Sequence, residues 1–553
     1  MDTAATPTAS STATRVHQLR QVLLWPLRLM PVPGDSKTPW ELLRGMEGAS
    51  PWREVDDEYT GSTEGFHERH YHEFVAFLPY VQRFLYGEGR AHRDGGMGSP
   101  MRVFRRNDIA QVRTVARPGD APLTLDVVHI DLYFFFDVDL VLLNVELSTG
   151  GLTLGQAQDQ LYRFGRGYPG GWDDEGQALH CMASVEWLAP DGAVMARSDA
   201  QRSELFLAHV CEHRAPRIAS HWAFILQPLV SDHSAEPGLL RFRQIEYYRM
   251  PLMAYLALDD PRALSRADFA RLGLVTGAGD PGSEALPYAQ PYLEDFERRF
   301  CYDRFWDATG AAPHTRYLCS GHSLVVIGDA ASQFYACRDR GVLAQFRHQH
   351  FLLFLIAHFQ KASLLMFSDR LAQALMMLDV GSPESIRRFK RAIRWSFESF
   401  LRFTHRYWFH EISEQAHVRA LWHMCSQHLG IDPLYREVKE RIGDMSSYLD
   451  ADSLRRQANT VVRLTVVTIF GLIGTVATGF LGMNLIAEAD ASLPRKLVYF
   501  MVVFVPTVAL TFYTIAKSKR LSDFLDALSD ERLSAWQKMG ALAMVWRKQD
   551  GEQ

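Results

Sequence analysis

Two stretches near the C-terminus restrict this chain more than anything else in it. Leu464–Ala487 and Leu497–Ala516 carry no charged residue, and a short segment that includes Glu488 and Asp490 separates them. The hydrocarbon core of a bilayer is about 30 Å thick and takes about 20 apolar residues as helix. Backbone groups in lipid must pair within the segment, so both runs are expected as membrane-spanning helices. Arg463 stands at the entry of the first, where a long side chain snorkels to the interface. Arg455, Arg456 and Arg463 precede the pair, and Lys517, Lys519 and Arg520 follow it. That excess of positive charge places both flanks in the cytoplasm. The connecting segment 488–496 then faces outside, with Arg495 and Lys496 weakening the asymmetry slightly.

The rest of the composition describes a large cytosolic body on a small membrane domain. The chain has 553 residues, enough for several domains, and its mean hydropathy of −0.13 is far from that of a many-span transporter. A net charge of −5 gives no electrostatic footprint for nucleic acid. Cys181, Cys211, Cys301, Cys319, Cys337 and Cys425 are scattered with no Cys-x-x-Cys pair. This argues against a disulfide frame or a thiolate zinc site and fits a reducing compartment. Residues 1–14 read as a disordered start without a signal peptide.

The expected fold class is α+β: a mixed αβ cytosolic domain over 15–330, a long antiparallel helix pair over 332–429, a stalk helix over 434–463, the two spans and a cytosolic tail over 517–553. Within the first part, Gln18–Val32 reads as a strand with a bulge or edge at Pro26, His67–Tyr86 as a helix and Met101–Ala116 as paired strands. Leu123–Leu147 is the most strand-like run. After it, Ser148–Gly151 reads as a tight crossover into a helix capped by Thr153. Trp222–Val230 and Tyr317–Ile327 are further strand candidates, and Gly277–Gly282 is a loop. Three helical patterns follow. The first covers about Leu343–Leu378 and ends at Gly381. Ser382 caps the second, Pro383–Leu429, with Pro383 at its first position. Gly430 and Pro433 break the chain before the third, which begins near Leu434 and need not stop until Asn484. Its apolar positions Leu434, Val438, Ile442, Met445, Leu449, Leu454, Ala458 and Val461 form a seam for helix packing.

The outlet of the first span reads Thr475-Val-Ala-Thr-Gly479-Phe-Leu-Gly482-Met483-Asn484. Gly-Met-Asn at the outer end of the first of two C-terminal spans, followed by a short acidic loop, resembles the CorA family of magnesium channels. Leu481 stands where that family usually carries an aromatic residue, and the tail Leu521–Gln553 runs past the usual stop. The close match covers about the last hundred residues before the tail. It implies a homopentamer in the cell inner membrane, with both termini cytoplasmic and one central pore lined by the first span.

A pore for Mg2+ has a chemical reason to use these residues. The ion is small, hard and slow to lose its water, so a ring of neutral carboxamides that binds it through its waters both attracts and releases it. Asn484 would form that ring, Gly482 would let the backbone turn at the helix end, and Met483 would pack and orient the loop. Thr475 would supply a second polar ring, and Leu472, Leu464 and Val461 apolar constrictions that gate by dewetting. For Thr465, Thr468 and Thr478, hydrogen bonding to the backbone or between helices is the plainer role. Gly471, Gly474 and Gly479 suit close helix packing. Glu488 and Asp490 would concentrate cations at the mouth. By the family's logic, carboxylates facing a neighbouring subunit, here Glu437, Glu440, Asp444, Asp450 and Asp452, would bind cytosolic Mg2+ and hold the stalk closed.

Two other readings belong beside this one. The same fold would serve a Zn2+, Co2+ or Ni2+ transporter, and the hairpin would equally anchor a non-conducting sensor or scaffold. His410, Glu414 and His417 fall at helical spacing for a transition metal, and His67, His70 and His72 also cluster; a plain helical surface explains both. No nucleophile triad, phosphate loop or paired catalytic acids stand out, so no enzyme is expected.

Overall fold

The structure, a computed structural model, describes residues 14–32, 37–46, 48, 50–55, 68–87, 99–246, 248–279, 285–379, 382–482, 492–502 and 504–510. The chain divides into two compact units, 1–442 and 443–553.

The first unit is a mixed α+β body built on one 15-stranded sheet. In chain order its strands begin with β1 (Arg15–Leu29), β2 (Trp52–Glu54), β3 (Met101–Arg106), β4 (Gln111–Val115) and β5 (Leu123–Phe135). Next come β6 (Leu140–Thr149), β7 (Leu152–Thr153), β8 (Ser184–Leu188), β9 (Val194–Arg197) and β10 (Val230–Ser231). The last five are β11 (Arg241–Gln244), β12 (Leu252–Leu258), β13 (Cys301–Phe305), β14 (Thr315–Cys319) and β15 (Ser323–Asp329). The main path runs β13-β14-β15-β12-β1-β6-β5-β4-β8-β9. Every neighbouring pair on it is antiparallel except β12 with β15.

β1 lies in the middle of this sheet, although Pro26 suggests an edge. On one side it pairs with β6 from Leu19 to Arg28. On the other its partner changes from β12, at Leu23↔Leu252, to β11, at Leu27↔Gln244. Leu24 N–H still reaches the Pro251 carbonyl at 2.9 Å. Two residues on, the nitrogen of Pro26 faces the same side, in the gap between the two partners, so its missing N–H removes no ladder bond. The register shift of β1 lies between Val16 and Gln18.

Side chains of β1 alternate between the two faces of the sheet. Leu23 and Trp25 face the side that holds the helices Leu154–Arg163 and Ser220–Leu226. There Trp25, Phe164, Trp187 and Trp222 pack edge-on or tilted with ring centroids 5.3–6.3 Å apart. Arg20 and Arg28 face the other side, covered by the helix Phe351–Met376. This cover helix stacks Phe359 on Phe135 of β5 at 4.0 Å. It is apolar and long enough to cross a membrane, but 72% of that window is buried inside the unit; it is a core helix. Among its neighbours Arg20 pairs with Glu146 at 2.6 Å, both side chains nine-tenths buried, and Arg347 approaches the same carboxylate at 3.7 Å.

Several expected elements come out as read and others differ. β5 and β6 form the hairpin within Leu123–Leu147, and the Thr153 hydroxyl caps the helix Leu154–Arg163 by accepting from the Gln156 amide. Met101–Ala116 gives two strands, but β3 and β4 each pair with β5 and not with one another. Trp222–Val230 is mainly helix, Ser220–Leu226, because Trp222, Ile225 and Leu226 are buried at i, i+3 and i+4. Tyr317–Ile327 is a hairpin of β14 and β15 turning at Gly321. His67–Tyr86 contains two helices, Glu68–Ala76 and Pro79–Tyr86, the second started by its proline; His67 lies outside the described residues. The second long helix is interrupted too. Pro383–Arg406 ends at Tyr407, whose hydroxyl donates to the Phe136 carbonyl at 3.0 Å, and helix resumes at Ala416–Leu429. The disordered start, Gly381 and the tail 517–553 lie outside the described residues, apart from Thr14.

Candidate ion pathway

The long helix Ile431–Gly482 carries every described pore candidate. The preceding helix ends at Gly430, with φ +65° in the left-handed region that glycine adopts freely. Pro433 does not break the chain; it sits in the first turn of the new helix, where its missing N–H costs no bond. Inside the first unit, Val438 and Ile442 are buried, and Tyr435 stacks on Trp408 at 4.1 Å. Glu437 and Glu440 are exposed on the opposite side, with Glu437 paired to Arg441 at 2.5 Å, one turn away. In the second unit Asp444 is exposed. Asp450 and Asp452 belong to the helix, but their side chains, like those of Arg455, Arg456 and Arg463, lie outside what is described. Leu454, late in the expected seam, is exposed.

Within the second unit the helix has two unlike faces. Val466, Phe470, Gly474 and Thr478 follow in steps of four, and Val466 is 3% exposed. Here the helix meets its apolar partner, Leu493–Leu510: a Cβ added to Gly474 would lie 2.7 Å from Thr507 Cγ2. Gly474 is therefore the close-packing glycine, while Gly471, Gly479 and Gly482 have nothing within 4 Å of such a Cβ. The other face carries Val461, Thr465, Thr468, Leu472, Thr475, Gly479 and Gly482, in alternating steps of four and three, all exposed. Val461 and Leu472 are 62% and 65% exposed, and Leu464 stands beside the row at 66%. All four described pore candidates, Val461, Leu464, Leu472 and Thr475, thus fall on or beside the face turned away from the partner helix. Thr465, Thr468 and Gly479 complete that row. Their membership follows from the four-three spacing along the helix.

The threonines hydrogen-bond to their own helix. Thr465 donates to the Val461 carbonyl at 3.0 Å, Thr468 to Leu464 at 2.8 Å and Thr478 to Gly474 at 2.9 Å, the plain backbone role. Thr475 does the same, donating to Gly471 at 2.9 Å. With its proton used in this way, the Thr475 oxygen keeps lone pairs as an acceptor. Beyond Arg495 and Lys496 the helix Leu493–Leu510 is mainly apolar, and none of its window is buried in the chain. Met483, Asn484, Glu488 and Asp490 lie outside the described residues.

The histidine pattern does not assemble as a metal site. His410 and Glu414 precede the helix Ala416–Leu429 and are not on one face with His417. The Nδ1 of His410 is 3.9 Å from Asp432, Glu414 is 3.9 Å from Arg419, and burial holds His417 below the ordinary histidine range. Among the described residues no group of three His, Cys, Asp or Glu side chains is placed to hold a metal ion. No family model, no curated protein and no solved structure matches the chain.

Proposed function

We propose that this chain forms a homopentameric, CorA-like channel for divalent cations, with Mg2+ as the main cargo. In this reading it sits in the cell inner membrane with both termini in the cytoplasm. The observation that carries the reading is the exposed row on the long helix, which runs opposite the Gly474–Thr507 contact and leads into Gly482-Met483-Asn484. Five copies arranged with that row inward would enclose a path lined by methyls and hydroxyls. The Asn484 carboxamides at its outer end would accept hydrogen bonds from the waters around Mg2+, sparing the ion the cost of dehydration. The Thr475 oxygens, their protons engaged by Gly471, would accept from the same waters one station further in. Leu472, Leu464 and Val461 would close the path when their rings approach, because an apolar constriction empties of water.

Glu488 and Asp490 would raise the local cation concentration at the mouth. Glu437 and Glu440 are exposed in the first unit and Asp444 in the second, and Asp450 and Asp452 extend the acidic stretch along the sequence. Between neighbouring copies these carboxylates would repel unless Mg2+ bound among them, which gives cytosolic Mg2+ a way to hold the closed state. The test is Mg2+ uptake into proteoliposomes, wild type against Asn484→Ala. Uptake lost in a variant that keeps its oligomer supports the channel and its filter. A well-formed wild-type oligomer that passes no Mg2+ down an inward gradient refutes it.

A further inference from the structure

The C-terminal end of the cover helix carries exposed apolar side chains, and the outer helix Pro383–Arg406 that follows it carries arginines with no ion pair among the described residues. Met376 and Met377 close the cover helix and are 86% and 78% exposed, with Leu375 beside them. Hydrogen bonds tie the end of the cover helix to the first turn of the outer helix. The Ser385 hydroxyl accepts from the Asp379 amide at 2.8 Å and donates to the Met377 carbonyl at 3.0 Å, and Ser382 caps the outer helix through the Ser385 amide.

The outer helix is amphipathic. Phe389, Ile393, Phe400 and Phe403 are buried, while Arg387, Arg391 and Arg394 form an exposed row at i, i+4 and i+7. Other arginines of this helix have carboxylate partners, Arg388 in Glu384 and both Arg402 and Arg406 in the shared Asp137. Arg387, Arg391 and Arg394 have no ion pair among the described residues. The positive end of the helix dipole adds to their field.

An unneutralised arginine row beside deformable apolar side chains matches the chemistry of an anionic bilayer surface. Guanidinium groups bind phosphate oxygens in pairs, and an apolar tip with a basic flank settles at the boundary of headgroups and acyl chains. We propose that the end of the cover helix and the first half of the outer helix bind anionic phospholipid, with Arg387, Arg391 and Arg394 on headgroup phosphates and Met376 and Met377 below them. The inference rests on the membrane reading above for the presence of such a surface.

The test uses full-length protein carrying Met377→p-benzoylphenylalanine, reconstituted in vesicles containing phosphatidylglycerol or in phosphatidylcholine alone. After irradiation, lipid adducts at position 377 are read by mass. Adducts are expected with phosphatidylglycerol and lost in phosphatidylcholine. They are also expected to be lost when Arg387→Glu, Arg391→Glu and Arg394→Glu are combined, and absent when the probe sits instead at Leu239, an exposed side chain of the same unit. Equal adducts in both vesicles, no lipid adducts, or crosslinks only to protein would each overturn the proposal. Resistance of the same vesicles to alkaline extraction reads membrane insertion separately, so failure of the spans is distinguishable from failure of the tip.

Discussion

Gly474 of the long helix lies against Thr507 of the second apolar helix, so close that a Cβ there would fall 2.7 Å from Thr507 Cγ2. The neighbour is a β-branched side chain with few rotamers, so it cannot swing far aside. Gly474→Leu should therefore force the two helices apart, at the roughly 1–3 kcal/mol typical of overpacking. Gly471→Ala, with nothing in reach, should leave the pair intact. Thermal stability of the detergent-solubilised protein checks the difference, and equal stability of the two variants would contradict it.

The exposed row on the same helix predicts a gating phenotype. If Leu472 forms an apolar constriction, Leu472→Asn should keep it wet in the closed state. Mg2+ influx should then persist when internal Mg2+ is high and the wild type has stopped. Indicator fluorescence in proteoliposomes preloaded with Mg2+ measures this, and a variant that stops as the wild type does would remove Leu472 from the gate.

Arg20 and Glu146 form an ion pair that is nine-tenths buried on both sides. Glu146→Ala strands the guanidinium in the sheet and should cost about 3–5 kcal/mol. Arg20→Met combined with Glu146→Leu should recover most of that loss, since a well-packed apolar pair often replaces a buried ion pair without penalty. Denaturant unfolding of the single and double variants decides it.

Burial pushes His221, His350 and His358 down to about 3. In the unfolded chain they titrate near 6.5. Below that pH the unfolded chain binds protons that the folded chain refuses. The stability is thus present in full above about 6.5 and lost as pH falls towards 3, by up to roughly 1.4 kcal/mol per pH unit for each histidine. The melting temperature should fall between about pH 7 and about pH 5. His221→Met should flatten that slope, and an unchanged slope would show that His221 does not titrate on unfolding.

Much of the architecture was readable where the signal is local. The strand run into the β5–β6 hairpin, the caps at Thr153 and Ser382, and a helix running from the early 430s to the Gly-Met-Asn outlet all follow from periodicity and end signals within a few residues. The exposed row was also in the sequence, as steps of four and three from Val461 to Gly482. Its small and polar members, Thr465, Thr468 and Gly479, do not stand out in sequence because threonine and glycine serve backbone bonding and helix packing equally well.

The sequence by itself determined which segments are apolar enough to leave water, where helices begin, and which motif closes the long helix, because each depends on neighbours along the chain. The tertiary structure decided the rest. It made Trp222–Leu226 a helix by burying one side of it against Trp25 and Phe164, and it placed Pro26 at the centre of a sheet, in the gap where partner strands change. It assigned Val342–Met376 to a protein core although its composition equals that of a membrane span. It also chose Gly474, among several glycines, as the point of closest helix contact. Each of these outcomes depends on which distant segment lies across from a residue, and no local periodicity carries that information.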